Sequence, residues 1–538
     1  MRVAIELPSR IIDFVEPELV YTTPSNLLPN PNDGKVGTLG GDTSWNMKAS
    51  ESYGKIKRSI ESIIGTGLKA RVFRGGAWLG VGSVSEQSLR LLRNIILARL
   101  LAPSAFGMMA IVLSAATFLQ ALSEIGVKES LIQNDRGSEP EYVNAAWWIT
   151  LGRALAIYAV LFAAAPLLAK FYGNHEFTQL LRVANFSIVL EGAISAKAYA
   201  AVKEMRFPRW AVIFHGGAIL GITTTIILGC IIRDVWALVI GTCAESAGRC
   251  LLSFVVCRFH PSLKLHIPAA RDLLKFSRGL LGLAPLSFIY MRADIFVLGK
   301  LISTTALGYY ALGISVAQVP TGFISNLLSQ IFFPTFSHLR DDPARTRRIV
   351  LQVTEVIIML GMPALVFACF FGRPLLTLVY GRAYAVAAGP LILASCCALV
   401  YLVIGLITSI IYAAGTPRLH RRCVTTMAVG MAILIYPLSK WLGPLGAQLA
   451  ALISISSGFL LQLDYVHHLT GIKIFDYGRI FARGAMISIS VVVIFIVARP
   501  IAIMAHPPMA IGLGVCSCLV AYALGGVMFM RKPGFARY

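Results

Sequence analysis

From residue 74 onward the chain is a near-continuous series of apolar runs, most of them close to the ~20 residues that carry a helix across a bilayer. Inside hydrocarbon each backbone N–H and C=O must find its partner within the protein, so such runs fold as helices or close into barrels. Their length selects helices, because a spanning strand needs only ~9–11 residues. The chain is 57% hydrophobic and 14% charged, with a mean hydropathy of +0.73. Soluble domains average about 25% charged residues, so this surface must be solvated largely by lipid. The expected fold is all-α: a polytopic membrane protein of about 14 transmembrane helices. Six runs lie near 75–98, 106–125, 144–168, 177–199, 209–231 and 235–257. Six more lie near 275–299, 306–333, 346–371, 386–413, 420–440 and 444–467, and two close the chain near 480–498 and 508–530.

The first two sets are related by a repeat. Residues 97–112 (LARLLAPSAFGMMAIV) recur at 298–313 (LGKLISTTALGYYALG), a constant offset of 201. Leu97, Leu100, Ala105, Gly107 and Ala110 become Leu298, Leu301, Ala306, Gly308 and Ala311, and Arg99 becomes Lys300. A long-period repeat in a membrane chain marks a two-lobed transporter architecture. Six spans per lobe is an even number, so the lobes should be related by an axis along the membrane normal.

Charge placement supports the count. With both termini cytoplasmic, twenty-three Lys and Arg fall in cytoplasmic connections, among them Lys128, Arg136, Arg271, Arg347 and Arg421. Eight fall on the other side, including Arg99, Lys170, Lys300 and Arg382. That asymmetry is the positive-inside pattern, and it accounts for the net charge of +22 without a nucleic-acid partner. Residues 1–73 are polar and read as a disordered cytoplasmic tail, with a basic amphipathic stretch at 55–71. Met47 is an alternative start, which would leave residues 1–46 untranslated. The expected organisation is then tail 1–73, N-lobe 74–271, C-lobe 272–470, and two additional helices with a short cytoplasmic tail at 471–538.

Enzyme chemistry has no visible home. The sequence lacks a Walker-type loop, a GxSxG elbow and a CxxC pair, and its ten cysteines sit in or beside apolar runs. No cofactor or metal site is expected. The informative residues are instead the ionisable ones at membrane depth, which are costly there and mark pathways. Arg90 and Arg93 share a helix face, and Glu86 lies one turn before Arg90. The seventh run carries Arg292 and Asp294. Arg93 plus 201 is Asp294, so the two lobes place opposite charges at matching heights. These four residues are read as lining a cavity between the lobes. Glu124, Arg182, Glu191, Glu245, Arg249 and Glu355 are read as structural, with Glu245 and Arg249 neutralising each other. Gly107 and Gly308 are read as marking helix starts or close helix contact.

The chain resembles the polysaccharide (oligosaccharide) flippases of the multidrug/oligosaccharidyl-lipid/polysaccharide superfamily, in their WzxC-like branch. The stretches that carry this are ARLLAPSAFGMMAIV at 98–112, LSEIGVKESLIQ at 122–133 and MRFPRWAV at 205–212. DVWALVIG at 234–241, ADIFVLGKLISTTALGYYALG at 293–313, FPTFSHLRDD at 333–342 and LLTLVYG at 375–381 continue it. The resemblance implies two six-helix lobes plus two helices, in a bacterial inner membrane. It implies transport, not catalysis, of an oligosaccharide repeat unit on undecaprenyl diphosphate, for exopolysaccharide or lipopolysaccharide biosynthesis. The implied partners are that lipid-linked oligosaccharide, membrane lipids, and polymerase and export machinery. Arg90, Arg93 and Arg292 would receive the diphosphate. Asp294 matches a recurring acidic position, and would hold the arginines or bind an unidentified coupling cation. The prenyl tail would stay in lipid at a gap between the lobes. The alternatives are a drug or small-cation exporter or a peptidoglycan-precursor flippase of the same superfamily, and, from another class, a membrane glycosyltransferase or polymerase.

Overall fold

The computed structural model describes residues 68–504, apart from 125, 205, 265, 278–281, 340 and 341, together with 512, 514–516 and 518. The expected tail up to residue 67, and nearly all of the fourteenth span, lie outside the described residues. The described chain is helical, with no strand among the described residues, and eight of its helices have the length and composition to cross a membrane. The protein is an all-α polytopic membrane protein.

The N-lobe runs through α1 (Leu68–Leu100), α2 (Pro103–Leu122), a short α3 (Val127–Gln133) and α4 (Pro140–Tyr172). It continues with α5 (Glu176–Ala184), α6 (Phe186–Gly192), α7 (Lys197–Lys203), α8 (Phe207–Ile231) and α9 (Trp236–Cys257). A linking helix, α10 (Ile267–Ser277), leads to the C-lobe: α11 (Leu283–Leu301), α12 (Thr304–His338) and α13 (Pro343–Val379). After a 3₁₀ turn at Arg382–Ala387 come α14 (Ala388–Ala413), α15 (Pro417–Leu442) and α16 (Pro444–Thr470), and then α17 (Ile474–Met504). Proline stands in the first turn of α2, α4, α8, α13, α15 and α16. Its missing N–H costs nothing there, and its fixed φ suits a helix start. The boundary expected at 74 falls inside α1, and the lobe boundary expected at 271 falls inside α10.

The span expected at 177–199 is not one helix. It breaks at Asn185 and again at 193–196, giving α5, α6 and α7. Asn185 is buried at the first break, where its N–H donates to the Leu181 carbonyl (3.2 Å) and its carbonyl accepts from the Ile188 N–H (3.0 Å), a tighter i to i+3 turn between the two helices. The second break frees backbone groups, and neighbouring helices satisfy them. The Trp147 indole N–H donates to the Ala193 carbonyl (2.9 Å), and the Ser195 N–H donates to Ser253 Oγ (2.9 Å). Irregular backbone at membrane depth is tolerated only with such cover.

The 201-residue repeat is visible in three dimensions. α1 ends at Leu100 and α11 at Leu301, while α2 begins at Pro103 and α12 at Thr304. The lobes meet where α2 crosses α12. A Cβ on Gly107 would run into the Thr304 carbonyl, and one on Gly308 into the Pro103 carbonyl. Pro103 and Thr304 are themselves related by the repeat, so one contact is made twice about a pseudo-twofold axis. The two glycines therefore mark close helix contact, one of the two readings taken from the sequence.

Two more contacts at this end repeat the same symmetry. Arg99, at the end of α1, donates to the Leu378 carbonyl in the last turn of α13 (2.7 Å). Its counterpart Lys300 donates to the Phe171 carbonyl in the last turn of α4, and lies 4.8 Å from the Phe171 ring centroid. Each cation meets last-turn carbonyls that a helix cannot satisfy internally, at the negative end of its dipole. Each crosses from one lobe to the other. Removing both, as Arg99→Ala with Lys300→Ala, is expected to open this end several-fold more often, because each such bond contributes about 0.5–1.5 kcal/mol. Cross-linking yield between cysteines placed at 102 and 303 measures it, and an unchanged yield would show that the latches hold nothing.

Candidate functional site

Away from this closed end the lobes part around a half-open cavity of about 590 Å³. One wall is the α1 face that carries Gln87, Arg90, Arg93 and Asn94. The facing walls come from α11, α12, α14, α15 and α16, including Arg292, Asp294, Gln318, Tyr401 and Gln448. All four residues singled out in the sequence therefore line one cavity. Arg93 and Asp294 each stand seven residues before the end of their helix, α1 and α11, which is why the repeat places them at one height.

Their surroundings differ. Among the described residues Arg93 bonds only its neighbour Asn94, at 3.2 and 3.3 Å to Oδ1. Arg292 is exposed and makes no hydrogen bond or ion pair among the described residues. Asp294 is buried and forms no ion-pair contact with these arginines among the described residues. It accepts from the Tyr310 hydroxyl and from the Ile295 N–H (2.9 Å), and Gln448 Nε2 in turn donates to the Tyr310 oxygen. The Asp294–Tyr310–Gln448 chain ties α11, α12 and α16 together beneath the cavity floor.

Arg90 belongs to a wider network that the sequence reading broke into two local pairs. Its guanidinium bonds Glu86 one turn earlier (2.8 Å) and also reaches Glu245 on α9. Glu245 accepts from Arg249 as well (2.6 Å), and Glu86 lies 2.9 Å from His215 Nδ1 on α8. Glu191 on α6 completes the group, 3.6 Å from Arg249. Four helices of the N-lobe are joined through these charges, and Arg90 is the member that also faces the cavity. Both pairs, Glu86/Arg90 and Glu245/Arg249, are i, i+4 acid–base pairs visible in the sequence, but they lie on the first and sixth spans, and nothing in the sequence shows that these meet. Removing Glu245 takes away the acid that Arg90 and Arg249 share but leaves Glu86 and Glu191 beside them, so the cost stays below the about 3–5 kcal/mol of a fully uncompensated buried charge. Glu245→Ala is therefore expected to lower the melting temperature in detergent measurably. A melting temperature within a degree of the parent would show the cluster to be dispensable.

The remaining candidates are structural. Arg483 on α17 donates to Glu355 on α13 (3.1 Å), and Arg347 pairs with Asp476 (2.8 Å), so two ion pairs fasten α17 to the C-lobe. Arg153 pairs with Glu124 (3.2 Å). Arg182 lies over the Phe162 ring, 4.2 Å from its centroid.

The architecture is that of known transporters. The fold superposes on the lipid II flippase MurJ in an inward closed conformation with a TM-score of 0.66 and 15% identity, covering 84% of this chain and 99% of that one. A multidrug resistance MATE family transporter of the MOP superfamily, in an inward-facing conformation, gives a TM-score of 0.57 and 12% identity over 73% of this chain and 99% of that one. Two relatives are similar in sequence. The succinoglycan biosynthesis transport protein ExoT of Rhizobium meliloti (strain 1021) is 24% identical over 59% of this chain and 64% of its own. The lipopolysaccharide biosynthesis protein WzxC of Escherichia coli (strain K12) is 22% identical over 73% and 79%. The resemblance read from the motifs is thereby borne out. Residues 96–389, more than half of the chain and reaching from the end of α1 to the start of α14, match the family described as "Polysaccharide biosynthesis protein", and the chain belongs to that family.

Proposed function

We propose that this protein is a flippase that carries a polysaccharide repeat unit, linked to undecaprenyl diphosphate, from the cytoplasmic to the outer leaflet of a bacterial inner membrane. The observation that carries the reading is the inter-lobe cavity with Arg93 and Arg292 facing it from opposite lobes, neither in an ion-pair contact among the described residues. A diphosphate with a glycan cannot enter hydrocarbon unaided. Charge-assisted bonds to guanidinium groups replace its hydration, and Arg suits planar, two-point contact with phosphate oxygens. The positive-inside count makes the closed α1–α2 end periplasmic, so the cavity waits for substrate from the cytoplasm. Rocking the lobes about the Gly107–Gly308 crossing would break the Arg99 and Lys300 latches and expose the same arginines on the other side. A cation gradient coupled through the N-lobe charge network is the drive that fits a chain without an ATP-binding motif. The names of the relatives favour polysaccharide over drug as cargo.

Deleting the gene and locating the lipid-linked glycan tests this. Accumulation on the cytoplasmic leaflet is the expected result. Unchanged export from a strain without a second such transporter would refute it.

A further inference from the structure

The three cavity arginines are held differently. Arg90 is held by two acids, and Arg292 by no side chain among the described residues. Arg93 is held by an uncharged amide on the very next residue, Asn94. Successive side chains on a helix do not face each other, and a long helical side chain normally leans back over the preceding turn. For Arg93 that turn carries Arg90 with Glu86 and Glu245 bound to it. Asn94 draws the guanidinium sideways instead, away from these acids and along the cavity wall that both residues line.

Both bonds end on one atom. Arg93 Nε and Nη2 donate to Asn94 Oδ1 at 3.3 and 3.2 Å. A guanidinium carries five N–H donors on a planar fork. Asn94 takes two of them, along the edge shared by Nε and Nη2. The edge between Nη1 and Nη2 keeps its remaining donors with no partner among the described residues. Such an edge can receive two oxygens of one phosphate side by side. Arginine has no acceptor, so the amide must turn its oxygen toward Arg93. The choice of amide over acid then matters. An aspartate at 94 would make the same fork and add a charge, and Arg93 would be neutralised as Arg90 is.

We propose that Asn94 is a positioning residue for the diphosphate: its neutral oxygen fixes the Nε edge of Arg93 and leaves the positive charge and the opposite edge to a phosphate group. The inference rests on the functional reading above and adds to it the residue that aims the arginine.

The test uses full-length protein in detergent micelles with undecaprenyl diphosphate as the probe. Its Kd is measured between about 0.05 and 0.5 M salt, a range over which exposed charges become screened, and the melting temperature is taken beside it. Asn94→Asp is expected to weaken binding by about tenfold or more at low salt, and to blunt the response to salt, because one positive charge is cancelled. Asn94→Ala removes the hold and keeps the charge. It is expected to weaken binding by about three- to tenfold, through lost preorganisation, with the salt response of the parent. Both melting temperatures should stay near that of the parent. Binding by Asn94→Asp within about twofold of the parent would overturn the proposal. Equal weakening in the two variants with one shared salt response would overturn it too, since a side chain that only packs does not distinguish amide from acid. Should Asn94→Asp fail to fold, parental binding by Asn94→Ala is the result that overturns it. Arg93→Ala is measured alongside. Parental binding by that variant removes the functional reading itself, whereas weak binding by it with parental binding by both Asn94 variants removes this proposal alone.

Discussion

Replacing Arg93 with alanine is expected to cut glycan export by roughly 10- to 100-fold while the protein remains folded in the membrane. The range follows from losing charge-assisted hydrogen bonds to the substrate, about 1.5–3 kcal/mol. Folding should survive, because among the described residues Arg93 bonds only Asn94 and forms no ion-pair contact with an acid. Arg90 makes the contrast. It lines the same cavity, yet it neutralises Glu86 and Glu245, so Arg90→Ala should unfold or mislocalise the protein and reports poorly on the substrate. Arg93→Lys keeps the charge but loses the planar fork, and should fall between parent and alanine. Export is read at the cell surface, and amount by immunoblot of membranes. Full export by Arg93→Ala at matched expression would remove Arg93 from the path.

The largest shift between conformations is expected from Gly308→Leu. There is no room for a Cβ at this position, because the Pro103 carbonyl of the other lobe occupies it. Forcing a side chain in must push α2 from α12, at about 1–3 kcal/mol for overpacking. That shifts the closed population by roughly 5- to 150-fold, since 1.4 kcal/mol is a factor of ten. The protein should then rest with the α1–α2 end open. Gly107→Leu should act in the same way through Thr304. Gly152→Leu is the control, with nothing within 4 Å of its Cβ. In a background without native cysteines, Gln318→Cys should be reached by an impermeant maleimide from the periplasm in the Gly308→Leu protein, and hardly at all in its parent. Equal labelling in both would mean that the glycine crossing does not close this end.

Much of this was legible in the chain. Apolar run length located most of the helices, and the constant offset of 201 matched Arg93 to Asp294 and Gly107 to Gly308. Both follow from helical geometry, which preserves register from sequence to space. Contacts between helices far apart in sequence were not legible. The union of Glu86 and Arg90 with Glu245 and Arg249 depends on α1, α8 and α9 packing side by side. The partner of Asp294 is Tyr310, sixteen residues on, across a helix–helix turn that the repeat does not reveal. The break of 177–199 into three helices was hidden because Trp147 and Ser253, which satisfy the freed backbone, come from other spans.

The central claim is that guanidinium groups between two lobes carry a lipid-linked diphosphate glycan across the bilayer. Its most direct measurement is transbilayer movement in proteoliposomes, followed by oxidation of an undecaprenyl diphosphate-linked oligosaccharide with impermeant periodate. The account predicts that the parent protein exposes the inner-leaflet pool within minutes, and that the Arg93→Ala, Arg292→Ala double variant leaves it protected as in protein-free liposomes. Equal exposure by parent and double variant, or none by the parent, would contradict it.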